Sequence, residues 1–263
     1  MKPSEKTVIT TAGRPDDVSL KHMNTAAVVL GYEVVERKKR SISRIQRDYE
    51  SAVLVAGTNR YELHRIGMDK PFFFHPNSAA FRLKRLLREE TDPLVEIAQL
   101  VEGDSFLDCT LGLASDSIIA SFVTGESGRV LGVEGDADIA FITKHGLQSF
   151  LTNSKELSDA MKRVDVVHSD AVTFLKSQLD ASWDVVYIDP MFSAPIAEST
   201  NFTPLRQVGL KGLLTAEWLE EAKRVCKRRV VVKDRFDSPV FETLDLKQIV
   251  RPNTKFHFGY YER

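Results

Sequence analysis

The chain has 263 residues, 43% of them hydrophobic, and a formal net charge of −1 at pH 7. That hydrophobic content supports a real core and excludes wholesale disorder, while a total of two cysteines, Cys109 and Cys226, excludes a disulfide framework and argues against a zinc site. No apolar run approaches the ~18–20 residues that span a bilayer, and the N-terminus lacks the apolar region of a secretory signal. We therefore expect a cytoplasmic protein that binds neither metal nor membrane.

Residues 1–65 are predicted to form a small basic α/β subdomain. Its predicted elements are, in chain order, a strand at 7–11, a helix at 17–30 ended by Gly31, a strand at 32–35, a helix that carries Arg44 and Arg47, and a strand at 52–55. Residues 1–100 hold 17 basic and 13 acidic residues, and the basic run Arg37–Arg40 lies among them. Such a run is typical of a surface that contacts nucleic-acid phosphates, but a solvated face has the same composition. Both interpretations stay open, and RNA docking is the functional one.

Residues 66–263 are predicted to form a second domain, a doubly wound α/β fold. After an irregular aromatic stretch from Tyr61 to Phe81, we expect a basic amphipathic helix at 81–88, a further candidate for phosphate contact, and a helix from Pro93 to about Val101 capped by Asp92. Strands are then predicted at 105–109, 129–134, 165–168, 184–188 and 229–233, with helices at 116–123, 138–150, 171–178 and 215–226. The tail predicts two more strands, at 247–251 and 255–261. This alternation is typical of a parallel sheet covered by helices, ended here by an antiparallel hairpin.

Acidic residues follow four of the predicted strands, at the edge where such sheets bind ligands. Asp108 ends the first strand and Glu134 the second, while Asp170 and Asp189 follow the third and fourth. Gly112, in the loop after Asp108, permits a ligand to approach the backbone closely. A carboxylate at Glu134 can accept both hydroxyl hydrogens of a ribose, and Asp170 can accept a hydrogen bond from an adenine amine. Each residue alone is equally explained by a turn or a helix cap, but four in order indicate an adenosine-containing ligand.

The loop after the first of these strands argues against two common ligands. It lacks G-x-G-x-x-G, which disfavours a dinucleotide, and the chain has no G-x-x-x-x-G-K-[ST], which excludes a P-loop. S-adenosyl-L-methionine (SAM) contains adenosine without a pyrophosphate, and its positively charged sulfonium suits an acidic pocket. The sequence therefore predicts SAM as the cofactor.

Four ordered segments resemble class I SAM-dependent methyltransferases: D-C-T-L-G-L-A-S-D at 108–116, V-E-G-D at 133–136, H-S-D-A at 168–171 and Y-I-D-P-M-F at 187–192. The Asp-Pro-Met-Phe form is similar to the small-subunit rRNA guanine-N2 methyltransferase J family, over about residues 70–263. The resemblance implies a Rossmann-like class I methyltransferase sheet. It also implies cofactor contacts at Ser115, Asp116, Glu134, Gly135, Asp170, Ala171 and Asp189. The strand-end pattern adds Asp108 and Gly112 to the predicted cofactor contacts.

The resemblance further implies methyl transfer from SAM to an exocyclic amine of an RNA base, with small-subunit rRNA as the partner. In this hypothesis the Asp189 side chain and the Pro190 carbonyl accept hydrogen bonds from the amine, and Phe192 stacks on the base. Lys233, at the end of the fifth strand, is assigned either to substrate phosphate or to the surface. The chain departs from the family at Ser115 and after Phe192, so the target nucleotide is left open. Two alternatives stay open as well: a methyltransferase for a protein or a small molecule, and a non-catalytic RNA-binding or ribosome-assembly protein that keeps the fold.

Overall fold

A computed structural model describes residues 6–190, 214–252 and 254–263. The chain divides into two compact units. Of the described residues, the small unit holds 6–75 and 141–150, and the large unit holds 76–140, 151–190 and 214–263 except 253. No helix in these ranges is long and apolar enough to cross a membrane. The sequence-based boundary at residue 65 stays a prediction.

The small unit is built on a three-stranded sheet with the order β1-β2-β3. Its elements are β1 (Thr7–Thr11), α1 (Asp17–Leu30), α2 (Ile42–Tyr49), β2 (Ala52–Ala56) and β3 (Tyr61–His64). Strands β1 and β2 run parallel, and β3 runs antiparallel to β2. Asp16 caps α1 by accepting a hydrogen bond from the Ser19 N–H, and Gly31, with φ 70°, ends the helix in the left-handed conformation.

Two predictions in the small unit are wrong. The strand predicted at 32–35 forms a single bridge, from Val34 to Ile9, because the chain turns at Arg37–Arg40 directly after it. The stretch after Tyr61, predicted to be irregular, begins with β3 because a turn from Gly57 to Arg60 folds the chain back onto β2. The unit buries an apolar cluster made of Val8, Val35, Ile45, Val53 and Val55.

The large unit is built on a seven-stranded sheet. Its strands are β4 (Ser105–Asp108), β5 (Arg129–Glu134), β6 (Val164–His168), β7 (Trp183–Ile188), β8 (Cys226–Arg235), β9 (Lys247–Ile249) and β10 (Phe256–Glu262). The helices are α3 (Asn77–Leu86), α4 (Pro93–Ala98), α5 (Ser115–Thr124), α6 (Ala137–Ser149), α7 (Lys155–Lys162), α8 (Ala171–Ser177), α9 (Ala216–Val225) and α10 (Val240–Thr243). Residues of α6 from 141 onward belong to the small unit.

The strand order is β6-β5-β4-β7-β8-β10-β9. Neighbours from β6 to β8 are parallel, and β10 is antiparallel to both β8 and β9. The doubly wound α/β class is therefore confirmed, and the predicted hairpin forms with β10 inserted between β8 and β9. The chain runs outward from β4 to β6 and then returns to β7 on the other side of β4. This reversal places a switch point, where doubly wound sheets bind ligands, at the carboxyl ends of β4 and β7.

Apolar strands hold the large sheet in its core. One buried cluster gathers residues of β4, β5, β7 and β8, among them Leu107, Val133, Trp183, Val186 and Val232. The sequence analysis misses α7, in which Ser154 caps the helix by accepting a hydrogen bond from the Leu157 N–H. It also misses α10, a single turn.

Candidate active site at the switch point of the large sheet

Asp108, the last residue of β4, holds the loop that follows it. Its carboxylate is almost fully buried and accepts hydrogen bonds from Ser117 Oγ at 2.6 Å and from the Thr110 N–H at 2.9 Å. Burial raises the pKa of Asp108 to about 7, although these hydrogen bonds lower it. Because the donors belong to the loop and to α5, the carboxylate fixes the position of both.

The backbone of the same loop has an unusual conformation. Gly112 has φ 50° and Ala114 has φ 58°, in the left-handed region that strains an L side chain. Leu111 packs against β5 so closely that a Cβ on Gly132 would lie 2.2 Å from Leu111 Cδ1. The loop leads into α5, where the buried hydroxyl of Ser115 has no hydrogen-bond partner among the residues that the structure describes. An unpartnered buried hydroxyl at this position is available to a ligand.

Glu134, at the end of β5, joins this loop to the next one. Its Oε2 accepts a hydrogen bond from the Gly112 N–H at 3.0 Å, and its Oε1 accepts one from the Asp136 N–H at 3.0 Å. Burial raises the pKa of Glu134 to about 7, and the charge of Asp136 adds to that rise. A carboxylate oxygen can accept more than one hydrogen bond, so Glu134 keeps acceptor capacity at the edge of the sheet.

Asp116, in the first turn of α5, is the centre of an ion-paired cluster. Its Oδ1 lies 2.5 Å from Arg82 Nη1, and its Oδ2 accepts from the Tyr187 hydroxyl at 2.9 Å and lies 3.5 Å from Lys233 Nζ. Arg82 also forms a two-pronged pair with Asp92, at 2.7 and 2.8 Å. Burial would raise the pKa of Asp116, but Lys233 and Arg82 bring it well below its usual range. In the described part of the chain, no group of three or more His, Cys, Asp or Glu side chains is placed to hold a metal ion.

Asp189 follows β7 on the opposite side of the switch point. Its backbone N–H donates to Thr110 Oγ1 at 2.8 Å, and its Oδ2 accepts from Lys233 Nζ at 2.5 Å. Burial raises the pKa of Asp189, whereas Lys233 lowers it. Pro190 comes next and is buried, while Phe192 is not among the residues that the structure describes.

The remaining predicted residues lie at the ends of β5 and β6. Asp170 caps α8, because its Oδ1 accepts from the Thr173 N–H and hydroxyl, both at 2.9 Å, while its Oδ2 makes no hydrogen bond to a described residue. Ala171 is the first residue of α8 and is half-buried. Gly135 follows Glu134 and donates its N–H to that carboxylate. The sheet order places all of these residues along the carboxyl edge of four neighbouring strands.

The sequence analysis assigns two residues differently and misses two others. Lys233, assigned to substrate phosphate or to the surface, is mostly buried and pairs with Asp189 and Asp116. Arg82, predicted to contact phosphate, has its guanidinium enclosed between Asp92 and Asp116, so it is not available to a phosphate. Thr110 carries no signal beyond being a hydroxyl residue in the loop. In the sequence, Tyr187 is indistinguishable from the apolar residues of a buried strand. The carboxylate that accepts its hydroxyl hydrogen, on Asp116 of α5, lies 71 residues away in the chain.

Comparisons with known proteins agree with this geometry. A family model described as "Putative SAM-dependent methyltransferase" matches residues 40–257. The uncharacterized protein YpiP of Bacillus subtilis (strain 168) is 40% identical over 252 residues, which cover 96% of this chain and 98% of that protein. A ribosomal RNA small subunit methyltransferase J of Acinetobacter baumannii (strain SDF) is 29% identical over 177 residues, which cover 59% of each protein. A solved SAM-dependent methyltransferase from Neisseria gonorrhoeae, 19% identical, matches 98% of this chain and 96% of its own with a TM-score of 0.59, which shows a shared fold.

Proposed function

The chain belongs to the family of SAM-dependent methyltransferases, and we propose that it methylates an exocyclic amine of an RNA base, guanine N2 of small-subunit rRNA. SAM is the cofactor of this family. The observation that carries the substrate class is the Asp189-Pro190 pair after β7, in which the carboxylate is fixed by Lys233 beside the switch point. Distant relatives named ribosomal RNA small subunit methyltransferase J support RNA as the substrate, over about three-fifths of the length of those proteins.

The residues along the carboxyl edge fit SAM. Glu134 keeps acceptor capacity for ribose hydroxyls, and the second oxygen of Asp170 is exposed for an adenine amine. The unpartnered hydroxyl of Ser115 is a further polar group for the ligand. Asp108 and Glu134 are acidic groups without a basic partner among the described residues, which favours a positively charged ligand. When bound, SAM supplies an electrophilic methyl group on a positively charged sulfur.

Asp189 and Pro190 orient the target amine in this proposal. The Asp189 carboxylate accepts one N–H of the amine and the Pro190 carbonyl accepts the other, so that the nitrogen lone pair is presented to the electrophile. As the carbon–nitrogen bond forms, the bond between the methyl carbon and sulfur would break, and the amine proton would pass to the Asp189 carboxylate or to water, so no strong base is required. The role that the sequence assigns to Phe192, stacking on the base, stays a prediction, because Phe192 lies outside the described residues.

The small unit supplies an RNA-docking surface in this proposal. Lys38 and Lys39 are exposed on a turn in which both have positive φ, 44° and 60°. Arg37 and Arg40 hold that turn by donating hydrogen bonds to the carbonyls of Arg40 and Glu36, both at 2.7 Å. The two lysines are therefore the members of the basic run that face solvent and can contact phosphate.

Two measurements test this function. Calorimetric titration with SAM and with S-adenosylhomocysteine measures the cofactor site, and we expect micromolar binding. Transfer of a labelled methyl group is then measured on rRNA and on small ribosomal subunits from cells that lack the gene, with the product nucleoside identified by mass spectrometry. N2-methylguanosine on rRNA supports the proposal. Binding of SAM without methylation of either substrate favours a protein or small-molecule substrate, and absence of binding favours a non-catalytic RNA-binding protein.

A further inference from the structure

Lys233 occupies a position between two acidic side chains of the site. It lies near the carboxyl end of β8, and its ammonium is mostly buried, with 17% of the side chain exposed. Nζ is 2.5 Å from Asp189 Oδ2 and 3.5 Å from Asp116 Oδ2. The ring of Phe256, on the neighbouring β10, lies 5.0 Å from the same ammonium. A buried lysine with two acidic partners is held in one position, unlike a lysine that ends a strand at the surface.

The groups around Asp189 come from several elements and differ in charge. Asp116 on α5 and Asp234 on β8 are acidic neighbours that raise the pKa of Asp189, and Asp108 on β4 is a third acidic group close by. Among the described residues, Lys233 is the basic group in direct contact with Asp189, since the guanidinium of Arg82 is paired with Asp92 and Asp116. Lys233 is therefore the main cation that compensates the Asp189 carboxylate.

The two oxygens of Asp189 are used differently. Oδ2 accepts from Lys233, whereas Oδ1 makes no hydrogen bond to a described residue. The backbone of Asp189 is fixed as well, through the hydrogen bond from its N–H to Thr110 Oγ1. Within the described residues, one oxygen of Asp189 is thus occupied by Lys233, and the other keeps its acceptor capacity.

We propose that Lys233 is the positioning residue of the transfer site: it fixes the Asp189 carboxylate through Oδ2, so that Oδ1 accepts an N–H of the target amine. This inference rests on the proposed role of Asp189 in orienting an amine. A protonated Asp189 would present a donor in place of an acceptor and would lose the geometry that Lys233 imposes. Methyl transfer should therefore depend on Lys233 even though Lys233 does not touch the amine.

The sign of the expected pH dependence follows from these contacts. Burial raises the pKa of Asp189 and Lys233 opposes the rise, so removal of the lysine charge should raise that pKa further. In Lys233→Met, the Asp189 carboxylate would become protonated, and so lose its role as an acceptor, at a pH at which it is still ionised in the wild-type protein. The acidic limb of the rate profile should move toward higher pH by at least about one unit.

The first test reads Asp189 directly and needs no activity. Carbon NMR of protein labelled at the aspartate carboxyl carbons, with the Asp189 signal assigned through Asp189→Asn, gives its pKa in wild-type protein, Lys233→Met and Lys233→Arg. We expect a rise of at least one unit in Lys233→Met and restoration in Lys233→Arg. If Lys233→Met does not fold, Lys233→Gln takes its place. Lys227→Met is the matched control. Lys227 lies on the same strand as Lys233, near its opposite end, and its ammonium is 3.2 Å from a carboxylate oxygen of Asp184.

The second test separates positioning from a structural role. Single-turnover methyl transfer over a pH series should show a rate reduced by at least about 10-fold in Lys233→Met, with the affinity for SAM unchanged and Lys233→Arg partly active. An unchanged pKa of Asp189 in Lys233→Met overturns the proposal, and so does an equal loss of SAM affinity. If the wild-type protein methylates no RNA while the NMR shift is present, the proposed function fails and the Lys233–Asp189 coupling stands.

Discussion

The two sides of the switch point handle buried acidic groups in opposite ways. On the β4–β5 side, Asp108 and Glu134 accept hydrogen bonds from backbone N–H groups and a serine hydroxyl, without an ion pair to a described basic residue. On the β7–β8 side, Asp189 and Asp116 are paired with Lys233, and Asp116 also with Arg82. We refer to these as the unpaired side and the paired side.

On the basis of this difference, we propose different tasks for the two sides. Burial raises the pKa of both Asp108 and Glu134 to about 7, and no basic side chain in the described part of the chain pairs with either carboxylate. A cationic ligand with hydroxyl donors would compensate their charge, as SAM does. On the paired side the charge is already compensated, so a carboxylate there acts as a fixed acceptor for a neutral donor such as an amine. The unpaired side therefore suits the cofactor and the paired side suits the substrate.

Replacement of Asp189 on the paired side should have the largest effect on turnover. We expect Asp189→Asn to reduce methyl transfer by roughly 100-fold or more, because an amide in place of the carboxylate loses the Lys233 pair and a fixed acceptor. SAM affinity should change little. The measurement is single-turnover transfer together with calorimetric titration. Asp184→Asn is the control, since Asp184 lies on β7, the strand that Asp189 follows, and pairs with Lys227 away from the site. Full activity of Asp189→Asn would contradict the amine-orienting role.

Replacement of Glu134 on the unpaired side should act on cofactor binding. We expect Glu134→Ala to weaken SAM binding by about 10- to 100-fold, in line with the ~1.5–3 kcal/mol of hydrogen bonds to a charged group. The loop should loosen too, because the Gly112 and Asp136 N–H groups lose their acceptor. Calorimetry measures the change, with Asp165→Asn, an exposed acidic residue of β6, as the control. An unchanged dissociation constant would remove Glu134 from the cofactor site.

The pH dependence of SAM binding should distinguish the two sides. Because burial raises the pKa of Glu134 to about 7, this side chain is protonated in the free folded protein below that pH. A cationic ligand favours its ionised form, so binding releases a proton and SAM affinity should rise by up to about tenfold per pH unit toward pH 7, then level off. The same shift makes the folded protein hold more protons than the unfolded chain between about pH 4.5 and 7, so this group's contribution to the free energy of unfolding falls as pH rises.

Calorimetry at pH 5.5–8.5 in buffers of different ionisation enthalpy would count the released protons. Glu134→Gln should reduce the number, while Asp108, which has the same shift, keeps a part of it. Asp189→Asn, on the paired side, should leave the count unchanged. A SAM affinity that is flat across this range would contradict the assignment of the unpaired side to the cofactor.

The elements of the large sheet are predictable from the sequence where the strands are buried on both faces. Runs such as Val185-Val186 and Val230-Val231-Val232 contain β-branched residues without polar interruption, and their strands are found where expected. Strand β3 has the sequence Tyr61-Glu62-Leu63-His64, in which apolar and polar residues alternate over four positions only. So short a pattern is easily taken for a loop, and it becomes a strand because β2 is beside it to accept the pairing.

The residues of the candidate site also fall into those that the sequence indicates and those that only the fold reveals. The sequence singles out Asp108, Glu134 and Asp189 as candidates because a strand end is a local feature that recurs along the chain. Their partners are not local: Arg82 reaches Asp116 across 34 positions and Lys233 reaches Asp189 across 44. No spacing rule connects residues on separate elements of a sheet, so the compensation of charge, which sets the two sides apart, is visible only in the fold.

A smaller effect is expected from the packing that supports the unpaired side. Gly132→Ala would place a Cβ 2.2 Å from Leu111 Cδ1, in a loop side chain that is almost fully buried. We expect a loss of about 1–3 kcal/mol in the free energy of unfolding, measured by urea denaturation, and weaker SAM binding as the loop shifts. Gly13→Ala is the control, because no atom lies within 4 Å of a Cβ at that position. Equal stability of the two variants would show that Leu111 moves aside without cost.

The smallest effect should come from charges outside both sides of the site. The double change Lys38→Glu and Lys39→Glu reverses the two exposed lysines of the small unit's basic turn. If they contact phosphates, RNA affinity should fall by roughly tenfold at ~0.1 M salt, and the slope of log affinity against log salt should decrease by about 1.5. SAM affinity and its proton release should stay as in the wild-type protein. Lys155→Glu with Lys162→Glu, on α7, makes the same change in net charge elsewhere; if it weakens RNA binding equally, the turn has no specific part in docking and only the overall charge matters.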